Sequence, residues 1–322
     1  MTAAHDAVHA AAHEVAPARE RVVVVGGANV DILARSLDPA LPATSNPGTT
    51  STTPGGVGRN IAENLARLGW PVTLLAQIGA DSLGDLVRRS CESAGVDATH
   101  LVTGSQPTGS YTAVIDHDGE LVVAVADMTA TDEFRLADVP DAADHVAAAA
   151  LVVADANLSA DTLAELLDLA AAAGVPVVIE PVSEPKAKRL WSVLDPARPV
   201  HTLTPNRAEL LAMTGAADVA AAAATLHAVG VGRVWCHHRD GSTMFELGRE
   251  PQHLQIEPIE AVDVTGAGDA LVAAYCHGVV HGIEPLDAAA FGHRVAALTV
   301  TSPHTVHPRL GELVPTMPEE RS

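Results

Sequence analysis

Between Arg21 and about residue 300, short apolar runs alternate with longer segments of helical periodicity. The runs at 22–25, 72–79, 151–157, 175–182, 201–206 and 233–238 have the length and composition of buried strands. Helical segments are predicted at 59–69, 82–94, 161–173, 207–213, 217–229, 270–281 and 286–300, and several of them stop at a glycine. This alternation predicts a single α/β domain over residues 21–315, with a mostly parallel central sheet and helices on both faces.

Two segments break the alternation. Residues 110–127 form two β runs around Asp118-Gly119, which is a strong hairpin signal. Residues 38–55 are rich in proline, threonine and glycine. We interpret these segments as parts of a small β lid, at about 32–53 and 108–127, that projects from one edge of the sheet. Residues 1–20 and 316–322 are expected to be flexible tails.

The charge and the cysteines narrow the kind of partner and compartment. The formal net charge is -21, which argues against nucleic acid or a membrane surface as the main partner. The three cysteines are far apart and suggest neither a disulfide framework nor a zinc site. The first twenty residues lack the basic start and apolar run of a signal peptide. We therefore expect a cytoplasmic protein that acts on small molecules.

The segment DVTGAGDALVAAYCHG (263–278) is the candidate reaction centre. Glycines that open a helix leave N–H groups unpaired, with the helix dipole behind them. Gly266, Ala267 and Gly268 could therefore stabilise the charge of a transferring phosphoryl group without a lysine, and Asp269 could accept the proton of an attacking hydroxyl. An ordinary glycine-rich helix start explains the same residues without chemistry, so the pattern alone leaves both interpretations open.

The usual phosphate-binding patterns are missing from the sequence. It has no G-x-x-x-x-G-K-[ST] motif, and both GVGRNI (56–61) and GAGDAL (266–271) lack the third glycine of a dinucleotide-binding fingerprint. The two lysines, Lys186 and Lys188, do not follow a glycine-rich turn. A Rossmann dehydrogenase and a P-loop kinase are therefore poor matches.

Three ordered motifs resemble those of the ribokinase-like, or PfkB, carbohydrate kinases: TPGGVGRNIAENLARLG (53–69), TPNRAE (204–209) and DVTGAGD (263–269). The resemblance covers about residues 21–310 and implies transfer of a phosphoryl group from ATP, with Mg²⁺, to a hydroxyl. Within the family, SNPG (45–48), VADANLS (153–159) and PVSEPK (181–186) resemble the branch that phosphorylates the ribose 5′-hydroxyl of pseudouridine. A kinase for another nucleoside or sugar, and a non-catalytic nucleoside-binding protein, stay open as alternatives.

The resemblance implies a role for each matching residue. Asp269 would be the catalytic base, and Gly266, Ala267 and Gly268 would form the anion hole. The substrate would be bound by Asn29, Asp31, Gly55, Gly56, Asn60 and Lys186, and the nucleotide by Asn206, Glu209, Gly241 and Thr265. Asn206 and Glu209 would hold Mg²⁺, mainly through water. Asp263, with Thr265, marks the place where many family members bind a monovalent cation, here expected to be K⁺.

Several of these residues also have a purely structural explanation. An Asn-x-x-Glu helix start is an ordinary capping arrangement, and Lys186, in the sequence KAKR, could belong to a solvated basic turn. The segment HHRDGS (237–242) departs from the small glycine-rich turn usual in the family, and Glu180 stands where an aspartate is usual. The exposed β edges of the lid favour a homodimer.

Overall fold

The computed structural model describes residues 20–238, 240–257 and 262–313; the predicted tails lie outside these residues except for Glu20. Ten strands form the central sheet: β1 (Arg21–Val25), β4 (Val72–Gly79), β5 (Val96–Asp97), β6 (Leu101–Gly104), β9 (Ala149–Asp155), β10 (Val177–Glu180), β11 (Val200–Leu203), β12 (Val231–His238), β13 (Gly241–Glu246) and β14 (Gln252–Gln255). Their order is β14-β13-β12-β11-β10-β9-β1-β4-β5, with β6 also paired to β4. Strands β12, β13 and β14 pair antiparallel, and the other pairs are parallel.

A second, four-stranded sheet stands apart from the first. It contains β2 (Asn29–Ser36), β3 (Gly48–Gly55), β7 (Gly109–Ile115) and β8 (Leu121–Asp127), in the order β3-β2-β7-β8. The central pair, β2 and β7, is parallel, while β3 and β8 run antiparallel at the two edges. The predicted hairpin at 110–127 is present, and the segments predicted for the lid belong to this sheet.

Helices cover both faces of the central sheet. They are α1 (Val57–Arg67), α2 (Ser82–Ser93), α3 (Thr129–Glu133), α4 (Ala142–Ala147), α5 (Ala160–Ala173), α6 (Glu184–Trp191), α7 (Arg207–Thr214), α8 (Val219–Ala228), α9 (Ala267–Val280), α10 (Pro285–Thr299) and α11 (Leu310–Leu313), with a 3₁₀ turn at Leu136–Asp138. Helices α1, α2, α9 and α10 pack on the side of Val22 and Val24. Helices α4 to α8 pack on the side of Val23 and Val25. A valine run that is buried on both faces is typical of a parallel strand, and the predicted α/β fold class is confirmed.

The sequence prediction missed several elements. The run 241–255 forms β13 and β14, which extend the sheet, and the segment 129–147 forms α3, the 3₁₀ turn and α4. The basic turn considered around Lys186 is instead helix α6. Helix α9 begins at Ala267, three residues earlier than predicted, because Gly266 adopts a left-handed conformation (φ 78°) and starts the helix.

Two further properties concern the whole described chain. Cys91, Cys236 and Cys276 are free and buried. Among the described helices, none alone has the length and apolarity to cross a membrane; one bent pair, Arg207–Thr214 with Val219–Ala228, meets the criterion by length and composition only.

Candidate active site

Polar side chains gather where the parallel strands end. Asp155 closes β9 and Glu180 closes β10, and the two residues lie side by side in the sheet. Asp155 is fully buried and accepts hydrogen bonds from the N–H groups of Gly27 and Asn157, each at 2.8 Å. The carboxyl edge of a parallel sheet is where α/β proteins bind ligands. Asp155 was not predicted as a site residue, although a carboxylate directly after the apolar run LVVA was a readable signal.

The first turn of α9 faces open space. Gly268 is exposed, and a Cβ placed on it would meet no atom within 4 Å. Gly266 is a glycine for a different reason, because a Cβ there would lie 2.1 Å from the Thr305 carbonyl oxygen. The N–H of Ala267 donates to the Val264 carbonyl at 3.2 Å. The turn is therefore open to a ligand, and the amides without a described partner are those of Gly266 and Gly268 rather than that of Ala267.

Asp269 lies one residue further along, with its side chain buried at the base of this turn. Its Oδ2 accepts a hydrogen bond of 2.7 Å from Nδ2 of Asn60. Desolvation raises the pKa of Asp269 to about 7, the negative charges of Asp155 and Asp31 add to this, and the Asn60 hydrogen bond and Arg59 oppose it. A carboxyl with a pKa near neutrality is suited to accept a proton.

The predicted sugar-binding residues come together around the start of β2. Asn29 donates to Asp31 Oδ1 at 3.0 Å, and burial raises the pKa of Asp31. A Cβ on Gly55 would lie 2.3 Å from Asp31 Oδ2, so only glycine leaves room for this carboxylate. Gly56 has φ 99° and is the N-cap residue directly before α1.

A cavity of about 470 Å³ connects the second sheet with the segment that leads into α9. Asp31, Thr53 and Tyr111 line it from the sheet, and Asp263 and Thr265 line it from the α9 side. Asp263 and Thr265, in the segment just before α9, therefore share one cleft with Asp31.

The Asn60 side chain has two partners within the protein. Its amide bridges Arg59, which donates to Asn60 Oδ1, and Asp269. The contact with the predicted base was not foreseen from the sequence, and the predicted contact of Asn60 with the substrate stays a prediction.

Asn206 and Glu209 form a complete capping box at the start of α7. Glu209 N–H donates to Asn206 Oδ1 and Asn206 N–H donates to Glu209 Oε2, both at 2.9 Å. Burial raises the pKa of Glu209, and Glu180 nearby has its pKa raised well above the ordinary value by burial and, to a lesser extent, by the charges of Glu209 and Asp269. Buried carboxylate oxygens that repel each other are the hard donor set that Mg²⁺ prefers, so these residues fit a magnesium ion.

Lys186 is half-buried on helix α6 rather than in a solvated turn. Its Nζ donates to Asn157 Oδ1, and desolvation lowers its pKa while Asp155 opposes that change. Asn157 in turn lies against Gly27, where a Cβ would be 3.3 Å from Asn157 Nδ2. The Lys186–Asn157 hydrogen bond thus connects the residues that follow β9 with helix α6.

The other predicted positions have local structural partners. Asp263 Oδ1 accepts from Thr265 N–H at 2.8 Å, and both residues are exposed. Gly241 lies in β13, where a Cβ would be 1.9 Å from the Leu254 carbonyl oxygen, so strand packing alone demands glycine. His237 is half-buried with its ring against Trp235, and desolvation lowers its pKa to about 3. Arg239 lies outside the described residues.

The family is shown by comparison with known proteins. The chain matches the pfkB family of carbohydrate kinases over residues 19–310 and belongs to that family. It is 34% identical over 299 residues to the pseudouridine kinase of Escherichia coli K12, covering 91% of this chain and 94% of that protein.

Solved structures agree with the fold. A carbohydrate kinase from Agrobacterium tumefaciens superposes with a TM-score of 0.79 at 32% identity, over 92% of this chain and 94% of that one. The ribokinase of Arabidopsis thaliana, solved with ribose and ATP, has a TM-score of 0.79 at 24% identity, over 91% and 97% of the two chains, and supports the fold alone. This chain is a sugar or nucleoside kinase of the pfkB family with a ribokinase-like fold.

Proposed function

We propose that this kinase transfers the γ-phosphoryl group of ATP to the ribose 5′-hydroxyl of pseudouridine, giving pseudouridine 5′-phosphate and ADP. The observation that carries the chemistry is the open first turn of α9 directly beside the buried carboxyl of Asp269. Asp263 and Thr265, just before this turn, line one cleft with Asp31. The choice of pseudouridine rests on the 34% identity to the E. coli enzyme over nearly the whole of both chains.

Asp269 is the proposed base. As the 5′-oxygen attacks, its proton passes to the Asp269 carboxylate, the new O–P bond forms, and the bond between the γ-phosphorus and the β–γ bridging oxygen breaks with ADP as the leaving group. The amides of Gly266 and Gly268, with the dipole of α9 behind them, offset the negative charge on the transferring group. Because Ala267 N–H is occupied by Val264, its share in the predicted anion hole requires that contact to open.

Asp31 and Asn29 are the proposed ribose-binding pair. A buried carboxylate can accept hydrogen bonds from two adjacent hydroxyls, and it is left without those partners by a deoxy analogue. Gly55 and Gly56 leave the space for this contact. We propose that the base of the nucleoside binds near Lys186 and Asn157, whose side chains offer hydrogen-bond donors and acceptors.

The residues proposed to bind the nucleotide and the metal lie on other elements than Asn29 and Asp31. Asn206 and Glu209 would hold Mg²⁺ near the ATP phosphates, where the ion neutralises phosphate charge when it is bound. We also propose that Gly241 and Thr265 contact the nucleotide, and that Asp263 and Thr265 form a site for a monovalent cation.

A cytoplasmic location and a homodimer complete the proposal. Free buried cysteines are typical of a reducing compartment. Strand β8, at an edge of the second sheet, exposes Leu121, Val122, Val123 and Val125. An exposed apolar edge strand favours pairing with a second copy.

A panel of acceptors tests the proposed substrate. Initial rates of ADP release are measured with pseudouridine, uridine, adenosine, ribose and no acceptor. Pseudouridine carries an N1–H donor that uridine lacks, so we expect its kcat/KM to exceed that of uridine by roughly 100-fold or more. A higher value with ribose would assign the chain to ribose instead, and ADP release that does not depend on any acceptor would contradict the kinase mechanism.

A further inference from the structure

A chain of charged side chains runs along α1 in the wall of the cavity that Asp31 also lines. The Arg59 side chain is only 3% exposed, although it follows the glycine motif at the first turn of the helix. Its guanidinium donates to Asn60 Oδ1, to Glu63 Oε2 at 2.5 Å and to Ser90 Oγ at 3.3 Å. At the end of this chain that is farther from Asp269, Arg67 Nη2 donates to Glu63 Oε1 at 2.7 Å. Arg59 is thus connected to Asp269 through a single residue, Asn60.

The chemistry of an arginine determines which way the Asn60 amide points. A guanidinium can only donate hydrogen bonds, so the amide atom that faces Arg59 must be the oxygen. The NH₂ group of Asn60 then faces Asp269, to which it donates at 2.7 Å. Without Arg59, the amide could turn over and place its oxygen against the carboxylate, which is favourable only if Asp269 is protonated.

The charges around Asp269 also indicate that Arg59 favours the ionised form of this carboxyl. The carboxylates of Asp31 and Asp155 raise its pKa, and Glu180 is coupled to it in the same sense. Arg59 is the cation that lowers the pKa of Asp269, and it also lowers the pKa of Asp31.

We propose that Arg59 is a positioning residue for the reaction: by fixing the Asn60 amide with its NH₂ group toward Asp269, it keeps the base in the form that accepts a proton. The proposal rests on the proposed role of Asp269. Two effects of Arg59 on Asp269 act in the same sense: its charge lowers the pKa of the carboxyl, and its hydrogen bond to Asn60 keeps the NH₂ donor toward that carboxyl.

The test uses a variant that removes the Arg59–Glu63 ion pair without leaving either of these two charges buried and unpaired. Arg67, the second partner of Glu63, is 26% exposed and keeps its hydrogen bond to the Pro308 carbonyl. Replacing both partners of a buried pair by apolar residues of similar size is often neutral for stability, so Arg59→Met is combined with Glu63→Met. Arg59→Leu, which cannot donate to Asn60 and leaves Glu63 paired with Arg67, is the second variant, should the first fail to fold. The matched control is Arg88→Met on α2, since Arg88 donates hydrogen bonds to the carbonyls of Ala98 and Leu101 and is not among the charges that affect the pKa of Asp269.

The readout is the carboxyl ¹³C titration of Asp269, in protein labelled at aspartate, with the signal assigned by its loss in Asp269→Asn. We expect the midpoint to rise by about one pH unit in the Arg59 variants and to stay unchanged in Arg88→Met. The acidic limb of the kcat/KM profile should move by the same amount, which is about a tenfold loss of rate below the midpoint. An unchanged Asp269 midpoint in a folded Arg59 variant would overturn the proposal. Because the titration needs no turnover, it also decides the role of Arg59 if the protein phosphorylates none of the acceptors.

Discussion

Replacing the proposed base should stabilise the protein at neutral and alkaline pH. Burial raises the pKa of Asp269 to about 7, against 3.8 for an ordinary aspartate. The folded state therefore binds this proton more tightly than the unfolded state does, and folding stability contributed by Asp269 falls as the pH rises from about 4 to about 7. At about 1.4 kcal/mol per pH unit, the full difference is on the order of 4 kcal/mol, of which about 3 kcal/mol falls between pH 5 and pH 8. Asp269→Asn removes this dependence.

The assay is urea unfolding of the wild type and Asp269→Asn at pH 5, 6, 7 and 8. We expect the unfolding free energies of the two proteins to converge at low pH. As the pH rises, the variant should become more stable than the wild type. Asp168→Asn is the control, because Asp168 lies on the surface in an ion pair with Arg198 and its pKa is lowered rather than raised. A wild type and an Asp269→Asn variant whose difference in unfolding free energy does not change between pH 5 and pH 8 would refute the claim that Asp269 carries a costly buried charge.

Three more predictions concern single positions. Gly266→Ala should unfold at a clearly lower temperature, because its Cβ would collide with the Thr305 carbonyl at a φ of 78°, and an unchanged melting temperature would contradict this. Gly268→Ala should keep its melting temperature but lose activity, because its Cβ enters the open space where the phosphoryl group is proposed to bind. Asp31→Asn should lower kcat/KM for the ribonucleoside roughly 10- to 100-fold and reduce the preference over the 2′-deoxy analogue, and an unchanged preference would remove Asp31 from ribose recognition. Val125→Glu, on the exposed edge strand β8, should shift a dimer to monomer in light scattering, and a dimer that survives would place the interface elsewhere.

The fold could be predicted from the sequence where strands and helices alternate clearly. The valine run of β1 and the glycine that ends α5 are local signals, and both act as predicted. The run 241–255 was missed because it forms an antiparallel extension of the sheet rather than another strand–helix unit. Helix α6 was missed because its basic sequence is typical of a surface turn, whereas Lys186 is drawn inward by Asn157 and Asp155.

The candidate site was predicted as a set of residues but not as a set of contacts. Asn29, Asp31 and Gly55 come together as the motifs implied, since the Asp31 carboxylate occupies the space left by the glycine. The sequence carries no sign that Asn60 reaches Asp269, which is 209 positions away along the chain. Arg59 was overlooked for the same reason: a charged residue in the first turn of a helix is usually solvated, and only the packing of α1 against α2 shows that this one is buried.

The most direct test of the reaction centre is the turnover of Asp269→Asn compared with its affinity for the acceptor. If Asp269 is the proton acceptor, kcat with pseudouridine and ATP should fall by about 10²- to 10⁴-fold, while the dissociation constant of the nucleoside, measured by calorimetry, changes little. A variant that binds the nucleoside and turns over near the wild-type rate would show that the helix start works without this carboxylate and would contradict the role of Asp269 as the base.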